Sequence, residues 1–200
     1  RRCAEFNNTV RKYEDDLLLC ARLRNVIVHE SKKDRIIAEP CDDLTRLIGH
    51  VAELLSMPPR LSVLREKNVT GIDAEATLAE ALVRIAQTNY SNLPVYRKDR
   101  MIGILNNRRV VRVVGQALER GEDVDVFLQT PCSQILQAED MNRFYRVLGR
   151  SDTVQEAIDA FEDNRKLLAV VVTESGDAGD RIVNLLTSAD IPMLIRILEE

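Results

Sequence analysis

Leu186-Thr187-Ser188-Ala189-Asp190-Ile191 is the stretch on which the reading of this chain turns. It follows the apolar run Ile182-Val183-Asn184-Leu185-Leu186, which reads as a strand, and it leads into Ile191-Pro192-Met193-Leu194-Ile195-Arg196-Ile197-Leu198, which reads as a helix. Thr187 and Asp190 therefore fall at a strand-to-helix junction. Free backbone N–H groups at a helix start attract phosphate, and a carboxylate nearby can accept hydrogen bonds from a ribose diol.

The same layout occurs earlier in the chain. Thr77-Leu78-Ala79-Glu80-Ala81-Leu82 returns 76 positions later as Thr153-Val154-Gln155-Glu156-Ala157-Ile158. Both copies open with Thr-x-x-Glu, the capping box in which the two side chains satisfy exposed N–H groups reciprocally at a helix start. After each helix comes an apolar strand, Leu93-Pro94-Val95-Tyr96 in the first copy and Leu168-Ala169-Val170-Val171-Val172 in the second. A turn and a second strand follow, Met101-Ile102-Gly103-Ile104-Leu105 or Ile182 to Leu186. Asn106 then corresponds to Thr187 and Arg109 to Asp190, now 81 positions apart because the second turn, Glu174 to Asp180, is longer. An internal duplication of this kind predicts two α/β units related by an approximate twofold axis.

These pieces, in this order and twice over, resemble the cystathionine β-synthase (CBS) domain, and the two copies together resemble the tandem CBS pair called a Bateman module. Leu93-Pro94-Val95 and Gly103-Ile104-Leu105 carry the resemblance in the first copy, and Thr187-x-x-Asp190 in the second. It implies an α/β (α+β) fold with pseudo-twofold symmetry, association into a homodimer, and an adenosine-type ligand. By the same resemblance Asp190 would hold the ribose hydroxyls and Thr187 a phosphate oxygen, while Lys166, Arg165 or Arg109 would neutralise phosphates. Arg108-Arg109 stands where the family's first copy carries its ribose-binding acid. Cations in place of that carboxylate point to one adenosine site, built on the second copy, with the cations available to a phosphate bound nearby. On the structural alternative Thr187 caps the helix, Asp190 adds a favourable charge to its first turn, and no ligand binds.

The predicted organisation is a helical hairpin over residues 1–59, a first repeat over 60–122 and a second over 123–200. Between the copies, Arg60 to Lys67 reads as a short helix entering the strand Asn68 to Ile72. Val110 to Arg120 reads as a helix broken by Gly121-Glu122-Asp123. Val124 to Gln137 reads as a second lead-in helix, interrupted at Pro131, before the strand Phe144 to Leu148.

A 200-residue chain with 45% hydrophobic content can bury a real core. Its net charge of −4 gives no whole-chain electrostatic reason for tight nucleic-acid binding. No apolar run approaches the ~20 residues that span a bilayer, and the first residues lack the apolar core of a signal peptide, so a soluble, cytoplasmic protein is expected. The chain opens on Arg1 rather than Met, as a fragment of a longer protein would. Cys3, Cys20, Cys41 and Cys132 are scattered, without Cys-x-x-Cys or histidines at ligand spacing, so reduced thiols are expected and a zinc site is not.

Ahead of the repeats, Phe6, Val10, Tyr13, Leu17 and Cys20 recur at helical spacing and predict one long amphipathic helix from about residue 3 to 29. A polar loop from Glu30 to Pro40, basic at Lys32-Lys33-Asp34-Arg35, leads to a second helix after Asp42-Asp43. Its apolar face carries Leu44, Leu47, Ile48, Val51, Leu54 and Leu55, and Pro58-Pro59 ends it. Two helices cannot enclose a core, so their apolar stripes need a further partner. His50 lies on the polar side of the second helix and reads as a solvated surface residue.

Arg24-Asn25-Val26-Ile27-Val28-His29 resembles the Arg-Asn-x-x-x-His motif of HEPN domains, which include metal-independent endoribonucleases. By that resemblance Arg24 would hold a scissile phosphate and His29 would move protons. On an unbroken helix the two residues differ by roughly 140° around the axis. They could cooperate only if the helix unwinds near His29 or a second subunit supplies the partner.

Three functions follow. The favoured one is a non-catalytic regulatory module that binds AMP, ADP, ATP or a related adenosine nucleotide, requires no cofactor, and signals to the N-terminal helices. The second is a HEPN-type ribonuclease acting on RNA through Arg24 and His29 under control of the CBS pair. The third is a dimerisation scaffold that binds nothing.

Overall fold

The two threonines of the repeated box each start a helix in the computed structural model, which describes residues 2–5, 7–30, 39–136 and 144–199. Thr77 Oγ accepts from the Glu80 N–H at 3.2 Å while Glu80 Oε2 accepts from the Thr77 N–H at 2.7 Å. Thr153 and Glu156 repeat the exchange at 3.1 and 2.6 Å. Two orphan donors are satisfied at each helix start, and the apolar face that follows is turned inward.

The chain divides into two compact units, Arg1–Pro59 with Ile197–Glu200, and Arg60–Arg196. The larger unit holds two three-stranded sheets. In the first, β1 (Ile72–Asp73) runs parallel to β2 (Asn92–Arg97), which pairs antiparallel with β3 (Arg100–Asn106). In the second, β4 (Tyr145–Gly149) runs parallel to β5 (Ala169–Thr173), which pairs antiparallel with β6 (Ile182–Leu186). The helices are α4 (Leu78–Thr88) and α5 (Asn107–Glu119) in the first half, two single-turn helices α6 (Val124–Phe127) and α7 (Cys132–Ile135) between the halves, and α8 (Val154–Asp163) and α9 (Ile191–Glu199) in the second.

One core joins Leu78, Leu93, Val95, Leu105, Val110 and Ile135 around the first sheet. Another joins Met101 and Ile104 of the first sheet to Tyr145, Ala169, Val171 and Ile182 of the second, so the two halves share apolar surface. The Tyr145 hydroxyl crosses that seam to donate to the Ile104 carbonyl at 3.0 Å, which satisfies its buried polar end.

The lead-in segments pack across the repeat. Lys67 N–H donates to the Val183 carbonyl at 3.0 Å, Leu61 N–H to Asp152 at 2.8 Å, and the Asn184 side chain to the Arg65 carbonyl at 3.1 Å. Residues before β1 thus hydrogen-bond to the second half. In turn Cys132 and Ser133 donate to Ala76 and Ala74 of the first half, each at 2.8 Å.

This exchange corrects two readings. The expected helix over Arg60 to Lys67 is a single 3-10 turn, Leu61–Val63, and the expected strand Asn68 to Ile72 is reduced to Ile72–Asp73. The backbone of Leu61, Ser62, Arg65 and Lys67 is committed to partners in the second half, and at Gly71 a Cβ would lie 2.2 Å from the Tyr96 ring and 2.7 Å from the Pro94 carbonyl. Conversely, α5 begins earlier than read, at Asn107, because the Asn106 side chain caps it by accepting from the Arg108 N–H at 3.0 Å. Pro131 interrupts the second lead-in as expected, while Gln137 lies outside the described residues.

In the smaller unit the single long helix gives way to a 3-10 turn, Arg2–Glu5, then α1 (Asn8–Lys12) and α2 (Glu14–Glu30), with a break at Tyr13. No described side chain of α2 is fully buried, so its stripe, with Leu17 and Cys20 only half-buried, is weaker than the helical spacing implied. Phe6 and Lys32-Lys33-Asp34-Arg35 lie outside the described residues. The second helix, α3 (Asp42–Ser56), buries Val51, whereas Leu55 remains 44% exposed. His50 is half-buried and meets Tyr13 edge-on, with ring centroids 6.3 Å apart, so it is a packing residue rather than a solvated one.

Candidate functional site

Strand β6 ends at Leu186, and Thr187 to Asp190 form the step into α9. Asp190 Oδ2 accepts from the Thr187 N–H at 2.7 Å and from the Thr187 hydroxyl at 3.1 Å. Its other oxygen, Oδ1, accepts from Lys67 Nζ at 3.1 Å. The junction is therefore built as read, with an added cation that sequence reasoning did not find. Lys67 reaches Asp190 only because the lead-in of the first copy lies against β6 of the second, and no local pattern signals that crossing.

Burial works against the charge on Asp190, but the Thr187 backbone N–H, the Lys67 ammonium and the Thr187 hydroxyl outweigh it and hold the carboxyl below its usual range. A carboxylate depressed in this way contributes stability that is complete above its unfolded value near 4 and is lost as pH falls through the lower native value. Lys67→Met is expected to move the Asp190 midpoint upward in a carboxyl-carbon NMR titration. An unchanged midpoint would show that Lys67 does not reach the acid.

A cavity of about 280 Å³ opens on this carboxylate. The hydrogen-bonded Thr187, Asp190 and Lys67 line it together with Val69, Tyr90 and Leu185, which supply apolar and aromatic wall, and with Asn89, Ser91 and Asn92, which add amide and hydroxyl groups. Asn89 holds its position by ending α4 in the left-handed region at φ 55°. Tyr90, Asn92 and Lys67 were missed from sequence because each lies in the half opposite Asp190.

The remaining predicted ligand residues gather elsewhere. Arg109, Arg165 and Lys166 line a second cavity of about 870 Å³ together with Arg108 and Arg112. Thr187 borders both cavities, whereas Asp190 borders only the smaller. Arg109 donates through Nε to the Ile135 carbonyl at 2.8 Å. At the position equivalent to Thr187, the Asn106 amide is buried and donates to Asn92 Oδ1 at 2.8 Å, so this residue is used in capping and in linking strands.

Arg24 and His29 are both exposed on α2, which continues as helix through Glu30. The unwinding that would let them meet within one chain is therefore not seen. Arg24 Nη1 instead lies 3.4 Å from the Asn25 side chain.

The cysteines are unpaired, with Cys132 buried and its thiol pushed up to about 11 by that burial first and by Glu80 next. Among the described residues no group of three or more His, Cys, Asp or Glu is placed to hold a metal ion, and no helix is long and apolar enough to cross a membrane.

Comparison with known proteins agrees with this architecture. The CBS domain model matches residues 62–116. The crystal structure of AcuB from Vibrio cholerae superposes with a TM-score of 0.54 at 14% identity, covering 72% of this chain and 95% of that one. CBSX2, crystallised in complex with AMP, superposes at 0.53 and 11% identity over 71% of this chain and 99% of its own. A CBS domain protein from Streptococcus pneumoniae superposes at 0.50 and 15% identity over 78% and 92%. No curated protein matches the chain by sequence. The fold is that of a CBS-domain pair preceded by helices.

Proposed function

We propose that this chain is a regulatory module that senses an adenosine-containing nucleotide of the AMP, ADP or ATP type. The observation that carries the reading is Asp190, an ionised carboxylate held by Thr187 and Lys67 at the end of a cavity that also presents Tyr90 and Leu185. A ribose diol donates to the carboxylate in this reading, the base lies on the Tyr90 and Leu185 wall, and Lys67 balances the site's charge. The AMP bound by CBSX2, which shares the fold, supports the ligand class.

Output to the N-terminal helices belongs to the same reading. The helix that starts beside Asp190 is α9, and from Ile197 onward it clusters with the smaller unit, where Glu199 lies 3.9 Å from Lys12 Nζ. A ligand that favours one setting of the α9 start shifts the population of whatever arrangement those helices adopt. A cytoplasmic homodimer is the setting this reading assigns.

The test is calorimetric titration with AMP, ADP, ATP, NAD and S-adenosylmethionine, with Asp190→Ala alongside. Micromolar binding of one ligand is expected, weakened at least ~10-fold in the variant, because hydrogen bonds to a charged group contribute about 1.5–3 kcal/mol each. Equal affinity in both proteins would remove Asp190 from the site, and no binding by any ligand would leave the scaffold reading.

A further inference from the structure

We propose that the larger cavity is a polyphosphate site in its own right, which recognises a chain of phosphoryl groups without needing a ribose. This goes beyond the adenosine reading and does not depend on it. Arg108, Arg109 and Arg112 enter the cavity from the start of α5, and Arg165 and Lys166 enter from the turn after α8. Five cations thus meet from two halves of the fold, and none of the described lining residues is Asp or Glu. In a chain whose net charge is −4, that segregation of sign cannot come from overall composition.

Four of these cations, Arg108, Arg112, Arg165 and Lys166, form no ion pair among the described residues. Like charges brought together at a cavity repel one another, and a bound polyanion relieves that repulsion. Guanidinium forks match phosphoryl oxygens in pairs, and a lysine adds a point charge. A single phosphate has too little charge for five cations, whereas a triphosphate carries enough, and about 870 Å³ accommodates it. A ribose diol finds no carboxylate among the described lining residues, and the Asn106 amide is committed to Asn92.

Two sources carry this chemistry. One is free polyphosphate. The other is the triphosphate tail of a nucleotide whose ribose rests on Asp190, because Thr187 borders both cavities.

The test is calorimetry of the full chain with sodium tripolyphosphate, ATP and AMP, at low and raised salt, on the wild type, Asp190→Ala, Arg112→Gln and Arg112→Gln/Lys166→Gln. Arg112 and Lys166 are exposed, so the two cation variants are expected to keep the wild-type circular dichroism spectrum. Tripolyphosphate should bind the wild type and Asp190→Ala alike, lose about tenfold or more in the double variant, and weaken steeply with salt. ATP binding impaired by both Asp190→Ala and the double variant identifies the nucleotide tail as the source; ATP indifferent to Asp190→Ala identifies the free chain. Absence of tripolyphosphate binding, or equal binding in the double variant, overturns the proposal whatever AMP does at Asp190.

Discussion

Leu93→Ala is expected to remove about 2–5 kcal/mol from the unfolding free energy of the α/β unit. Leu93 is fully buried in β2, directly opposite Leu105, which is also fully buried, and both belong to the core with Leu78, Val95 and Val110. Truncation removes the transfer free energy of the lost atoms and leaves a cavity that two strands and a helix cannot collapse to fill. Urea denaturation followed by circular dichroism measures the loss. Leu118→Ala provides the control, because that side chain is 59% exposed and its change should stay within about 0.5 kcal/mol. A Leu93→Ala effect as small as the control would mean that β2 does not lie in a packed core. Asn92, the neighbour of Leu93, borders both cavities, so a loosened β2 should also weaken ligands at either one.

The features legible in the sequence are those whose physics is local. The Thr-x-x-Glu boxes at Thr77 and Thr153 specify helix starts through contacts three residues apart, and both form as read. The strand Ile182–Leu186 was bounded by its own apolar run and by the polar step after it. Thr187 and Asp190 meet for the same reason. What stayed hidden depends on which half each lead-in segment packs against. The Lys67 contact with Asp190 spans 123 residues, and the Asn184 contact with Arg65 spans 119. Periodicity carries no signal for such pairings, nor for the cavity that Arg165 and Lys166 line beside the one that Asp190 borders. In the hairpin, spacing alone could not show that the helix stops at Tyr13, whose ring is engaged by His50 on one side and lies 5.4 Å from Lys12 Nζ.

Gly149→Ala should destabilise the same unit by roughly 1–3 kcal/mol, although it adds only one methyl group. Gly149 ends β4 opposite Thr173, and its N–H donates to Asp152 Oδ2 at 2.8 Å. A Cβ there would stand 2.9 Å from the Ser175 carbonyl carbon and 3.0 Å from Gly176 N. Those atoms are backbone, so no flexible side-chain end can yield, and Gly176 itself sits at φ +92° in a conformation that leaves the loop little freedom. Gly115→Ala offers the opposite sign: nothing lies within 4 Å of its added Cβ in the middle of α5, and the change should stabilise by roughly 0.5–1 kcal/mol. Equal effects at the two positions would show that the Ser175-Gly176 loop does not close over Gly149. The consequence reaches the proposed nucleotide site through the next residue. Arg150 pairs with Glu66, one position before Lys67, so a displaced β4 end also shifts the cation that faces Asp190. Gly149→Ala is therefore expected to weaken nucleotide binding while leaving tripolyphosphate binding intact, since neither Gly149 nor Lys67 borders the cationic cavity.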